Sequence, residues 1–112
     1  MGEVGLGMRI KPGQQILLTS ENVGAAAGEL LLAAAPLPMR VSVFFQNKST
    51  NIIYIGVDNT VTAATGRGLA AASVANAGDG GTWSIDLGPQ QALWAIASGA
   101  NSNLLVVELA GV

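Results

Sequence analysis

The chain contains no cysteine and no histidine, and only 11% of its residues are charged. Without cysteine there can be no disulfide framework, no thiolate zinc site and no thiol nucleophile, and the redox compartment stays open. Without histidine there is no Ser-His-Asp triad, and a general base near neutral pH would have to be a shifted carboxylate or a lysine. Five basic residues against seven acidic ones leave a net charge of −2, too little positive charge to track a phosphate backbone. Long apolar runs are missing as well. The uncharged stretch between Asp86 and Glu108 is interrupted by Gly88, Pro89, Gln90, Gln91, Ser98 and Asn101. It therefore falls well short of the ~20 apolar residues a membrane-spanning helix needs. Arg9 and Lys11 are not followed by an apolar h-region, so no signal peptide is expected.

What is present suits one domain. The 112 residues are half apolar, enough for a real core. A folded chain of 11.3 kDa exposes about 5,700 Å², so its charges would be spread at roughly one per 480 Å². Two explanations fit so sparse a surface. Part of it is covered by other subunits, or it is coated with Ser, Thr, Asn, Gln and Gly, in which the chain is rich.

Turn signals divide the chain into short strand candidates. Residues 1–13 hold four glycines and Pro12 and read as a flexible N-terminal arm, with the folded domain spanning 14–112. Strands are expected at 14–19, 40–46, 51–57, 82–87, 92–97 and 104–109. Residues 29–34 are ambiguous between strand and helix, and Pro36 and Pro38 forbid a long helix there. In 40–46, period two puts Val41, Val43 and Phe45 on one face and Phe44 on the other. The polar link Asn47–Thr50 between 40–46 and 51–57 predicts a β-hairpin. Residues 58–81 are rich in Ala, Gly and Thr and read as a long connection. They carry either a short strand at 68–72 or a helix at 69–77, and so long an excursion in a small domain usually serves function or an interface. Trp83, Ile85 and Leu87 share a face opposite Ser84 and Asp86. The fold class is all-β: a small antiparallel β-sandwich, jelly-roll-like or immunoglobulin-like, with the arm attached.

No catalytic set stands out. The seven acids are scattered, and no two have the spacing of an acid pair. Asp58-Asn59 and Asp79 offer too few oxygens for calcium. Gly66-Arg67-Gly68 and Gly78-Asp79-Gly80-Gly81 lack the Gly-Lys-Ser/Thr ending of a phosphate loop. Asn47-Lys48-Ser49 matches a glycosylation sequon, as a chain of this length can by chance. Trp83, Trp94 and Tyr54 are read as core and cross-strand packing before a sugar platform. No cofactor or metal is expected. Phe44 is the exception among the aromatics. It faces away from the core side of its strand, which makes it the leading candidate for a subunit contact.

Two stretches, RVSVFFQNKSTNIIYIG at 40–56 and WSIDLGPQQALWAIASGANSNLLVVEL at 83–109, together resemble a group of small virion proteins of tailed bacteriophages. The likeness covers roughly 40–109 and carries no catalytic signature. It implies a non-enzymatic β-sandwich on the outer capsid surface, a head decoration or cement protein that clamps major capsid subunits, often as a trimer. A fibre, neck or tail part is the alternative, and a small carbohydrate-binding module a further one. The implied partners are the major capsid protein and other copies of the chain, with neither nucleic acid nor membrane. The reaching parts would be the arm, with Met8, Arg9 and Ile10, and the 58–81 connection, with Arg67 and Leu69. Close contact through a neutral, Gly/Ala-rich surface avoids desolvating ions, and symmetry multiplies modest affinities.

Overall fold

A computed structural model describes residues 15–30, 40–88 and 91–110. The expected arm, with Met8, Arg9 and Ile10, lies outside the described residues, as does most of the ambiguous 29–34 segment. Eight strands are present: β1 (Gln15–Val23), β2 (Gly28–Glu29), β3 (Arg40–Asn47), β4 (Ile53–Gly56), β5 (Arg67–Leu69), β6 (Thr82–Asp86), β7 (Trp94–Ala97) and β8 (Ser102–Ala110). They form two four-stranded sheets, ordered β1-β8-β3-β6 and β2-β7-β4-β5, and every pairing is antiparallel. First pairs with last, second with seventh, third with sixth and fourth with fifth. That is the order of a jelly roll, which decides between the two sandwich types the sequence left open.

Only β4 and β5 are consecutive strands within one sheet. The hairpin expected between 40–46 and 51–57 is therefore not formed. β3 lies between β8 and β6 in one sheet, and β4 lies between β7 and β5 in the other. A short polar link between two alternating runs serves a hairpin or a corner between sheets equally well, and Asn47 makes it a corner. Fully buried, its Nδ2 donates to the carbonyls of Asn51 (2.7 Å), Leu69 (3.0 Å) and Ala70 (3.2 Å). Its Oδ1 accepts from the amide and hydroxyl of Ser49. One amide side chain thus satisfies backbone groups from both sides of the turn and from the end of β5.

The core lies between the sheets. Val43 and Phe45 of β3, and Leu104 and Val106 of β8, face Ile53 and Ile55 of β4, Leu69 of β5, and Ala95 and Ala97 of β7. Trp83 and Ile85 pack against this cluster from β6, on the face that alternation assigns them, and Leu87 is buried with it. Burial of one large aliphatic or aromatic side chain contributes about 1.5–3 kcal/mol. Val41 departs from the expected face. A bulge between Arg40 and Ser42 shifts the register, so Arg40 turns inward and Val41 is left exposed.

The 58–81 connection contains strand β5 and no helix. Leu69 and Ala72 are buried, as they would be on an apolar helix face, but the backbone is held from outside. The amide of Ala72 donates to the Ser49 carbonyl, that of Asn76 to Lys48, and that of Gly81 to Ala70. The β3–β4 corner thus supplies the first two of these bonds in place of bonds internal to a helix, and the third closes the connection on itself.

Candidate assembly surface

The two outer faces of the sandwich differ. On the β2-β7-β4-β5 sheet, part of the outer face is covered by the chain itself. Val61, buried in the β4–β5 connection, sits so close to Gly56 that a Cβ there would lie 2.6 Å from a Val61 methyl carbon. Gly66 passes equally close to Tyr54. Small residues let the connection lie flat on this sheet, and Tyr54, Trp94 and Ile96 are half-buried there.

Among the described residues, the β1-β8-β3-β6 sheet has no such cover. Its register places Leu18, Val107, Phe44 and Ser84 in one row across all four strands. The row on one side holds Ile16, Leu109, Ser42 and Asp86, and the row on the other holds Ser20, Leu105, Gln46 and Thr82. Six apolar side chains, Ile16, Leu18, Phe44, Leu105, Val107 and Leu109, thus form a continuous patch with polar residues around it. Leu18 is 63% exposed and Phe44 38%. The inward neighbours Leu104 and Val106 are fully buried, so β8 is apolar on both faces from Leu104 to Val107. A strand covered on both sides carries such a continuous apolar run, whereas a strand with one wet face alternates. Phe44 lies where the sequence placed it, at the middle of this patch.

The other surface candidates fare differently. Arg67 is exposed on β5, with its guanidinium carbon 5.6 Å from the centre of the Trp83 ring. Leu69 corrects the expectation: its side chain is 1% exposed and belongs to the core, because the β5 pairing turns it inward against Ile53. It is not a surface contact. Sequence reasoning missed Leu18, Leu105, Val107 and Leu109, although the apolar run LLVV in 104–107 was the available signal.

The remaining polar chemistry is structural. Arg40 and Glu108 meet at 2.9 Å, both fully buried. The guanidinium also donates to the carbonyls of Leu87 (3.3 Å), Gly88 (2.6 Å) and Gln91 (2.8 Å), tying the β6–β7 connection to the sandwich. Oε2 of Glu108 has no hydrogen-bond partner among the described residues. Asp58 is held below the ordinary carboxyl range by hydrogen bonds from the hydroxyl and amide of Thr60. Asp79 is held low in the same way by Ser73. Both carboxylates are exposed and each closes a local turn. Among the described residues no three acidic side chains gather as a metal cluster. A pocket beside Glu21 and Glu29 has a volume of about 50 Å³, enough for a water or two and far below the ~300 Å³ of a small-molecule site. Trp83 faces inward, with its ring stacked on Phe45 at 6.1 Å. Phe44 is the one exposed aromatic, and both tryptophans are half-buried. No helix among the described residues is long and apolar enough to cross a membrane.

The chain matches no family model, no curated protein and no solved structure.

Proposed function

We propose that this protein is a non-enzymatic structural component of a virion, a decoration or cement protein on the outer surface of a tailed-bacteriophage head. Its work is to bind the major capsid protein and other copies of itself. The observation that carries the reading is the apolar outer face of the β1-β8-β3-β6 sheet, centred on Leu18, Val107 and Phe44 and left uncovered by the described residues. A contiguous apolar patch rimmed by polar residues is the mark of an interaction surface. Around it lie tightly built turns and a buried ion pair that fix the shape of the molecule. The sparse charge suits contacts that are closed and repeated by symmetry, since few ions must be stripped of water. The 58–81 connection, pinned to the β3–β4 corner, presents Arg67 and the exposed Val57 and Val74 at the surface, a rigid element suited to touching the shell.

The test is quantitative peptide mass spectrometry of density-banded virus particles from the source. A copy number near that of the major capsid protein is the expected result. A few copies per particle would move the protein to a fibre, neck or tail, and absence from particles would overturn the virion reading.

A further inference from the structure

We infer that the outer face of the β1-β8-β3-β6 sheet is closed by the same face of a second copy, in a two-fold, face-to-face pairing. The inference deepens the reading above, on which it rests for its setting, by naming the occupant of the patch. Three observations favour a second copy over another partner.

The first is charge. Of the residues that the register places on this face, only Asp86 is charged, and it sits on the edge strand β6 at one corner. Two copies can therefore meet without opposing like charges across the middle of the contact, which would cost several kcal/mol. Nor does the face offer a sign that a charged partner would recognise.

The second is area. On this face the register puts three rows across all four strands and a fourth, Asn22 with Asn103, across β1 and β8. At about 4.8 Å between strands and ~6.7 Å between same-face residues, the face covers roughly 450 Å², and two such faces remove about 900 Å² from solvent, the size of a weak, reversible interface. A flat sheet also packs readily on a second sheet at about 10 Å, as sandwich sheets do within one chain.

The third is self-complementarity. A two-fold contact needs only one patch, used by both copies, whereas a threefold ring needs that patch to fit a different surface of the next copy. The other exposed large apolar residues, Leu17, Val41, Ile52, Val57 and Val74, fall in five separate segments. Among the described residues they do not form a second patch along shared strands, so the geometry points to a two-fold contact in place of the threefold order the resemblance implies.

The experiment is solution mass by light scattering or sedimentation at about 100 μM, well above the micromolar Kd of a modest interface. Four full-length chains are compared: the unaltered protein, Phe44→Glu, Leu18→Glu, and Val57→Glu as a control elsewhere on the surface. The unaltered chain and V57E should run at twice the 11.3 kDa chain mass. F44E and L18E should run at the single-chain mass while keeping the β circular-dichroism spectrum, because both side chains point away from the core. Three results overturn the pairing: an unaltered chain that stays monomeric, one that runs at three times the chain mass, and a dimer that survives both face variants. A monomer whose F44E variant no longer binds particles would give the face to the capsid protein instead. Because solution mass reads only the pairing and particle copy number only the virion role, either can fail without the other.

Discussion

Arg40 and Glu108 meet across neighbouring strands of one sheet with neither side chain exposed, at the end of the sandwich where the β6–β7 connection turns. The bulge at Arg40 makes this possible. It rotates Arg40 inward, where plain alternation would have faced it outward and turned Val41 to the core instead. Removing one member leaves a buried charge without its counter-ion, at a cost of about 3–5 kcal/mol. Since small domains are stable by only about 5–15 kcal/mol, Glu108→Ala should bring the midpoint of urea unfolding down sharply. Arg40→Met should cost at least as much, because three carbonyls lose their donor as well. Tryptophan fluorescence of each variant in a urea titration checks both, and unchanged midpoints would show that the pair contributes nothing.

The corner at Asn47 makes a second prediction. Asn47→Ala removes one donor shared by three carbonyls and one acceptor used by Ser49, and should destabilise the fold by about 1–3 kcal/mol. Asn47→Asp should be worse, since it keeps the shape but turns a carboxylate oxygen toward those carbonyls. Urea unfolding of the two variants side by side separates lost hydrogen bonds from added repulsion.

Two glycines should respond in opposite ways to alanine. A Cβ at Gly80 would lie 1.9 Å from the backbone oxygen of Asn47, which cannot move without opening the corner. Gly80→Ala should therefore cost more than the ~1–3 kcal/mol typical of overpacking. Gly88 has nothing within 4 Å of the same atom and is not among the residues with positive φ. Gly88→Ala should be neutral or stabilise by about 0.4–1 kcal/mol through the unfolded chain. Equal effects at the two sites would contradict the close approach at Gly80.

The turns closed by Asp58 and Asp79 should loosen in acid. Each carboxyl is held below its ordinary range by hydrogen bonds to its charged form. A depressed folded-state pKa gives stability that is fully present above the unfolded value and is lost as pH falls through the folded one. Because both groups are exposed, the loss should be local. Protection of the Thr60 and Ser73 amides, taken relative to intrinsic exchange, should fall as pH drops through those lowered values while core amides of β3 and β8 stay protected. Asp58→Asn and Asp79→Asn should each remove that pH dependence at their own turn.

The half-buried Trp83 gives a check on the sugar alternative. Its ring is stacked on Phe45 and faced by the Arg67 guanidinium. Arg67→Ala should raise acrylamide quenching of tryptophan fluorescence and cost no more than about 0.5–1 kcal/mol, the range for an exposed cation–π contact. Millimolar glycans should leave the fluorescence of the unaltered chain unchanged, and clear quenching would restore an aromatic binding platform.

The sequence alone determined the all-β class, most strand positions and the inward faces of most strands. Val43 with Phe45, Ile53 with Ile55, and Trp83 with Ile85 are all found on the side that period two assigns them, because alternation is a property of each strand by itself. It also excluded, by composition, every chemistry that needs histidine or cysteine, and it singled out Phe44. Strand pairing was decided only by the tertiary structure. Asn47–Thr50 satisfies the local rules for a hairpin, and the strands part into different sheets because β8 and β6 claim β3 while β7 and β5 claim β4. The inward turn of Arg40 depends likewise on a carboxylate 68 residues away. The bare face was half-legible. Leu104 to Val107 reads as a strand covered on both sides, but which side the chain covers for itself is a non-local matter. The second sheet covers one side, and no other described residue covers the opposite one.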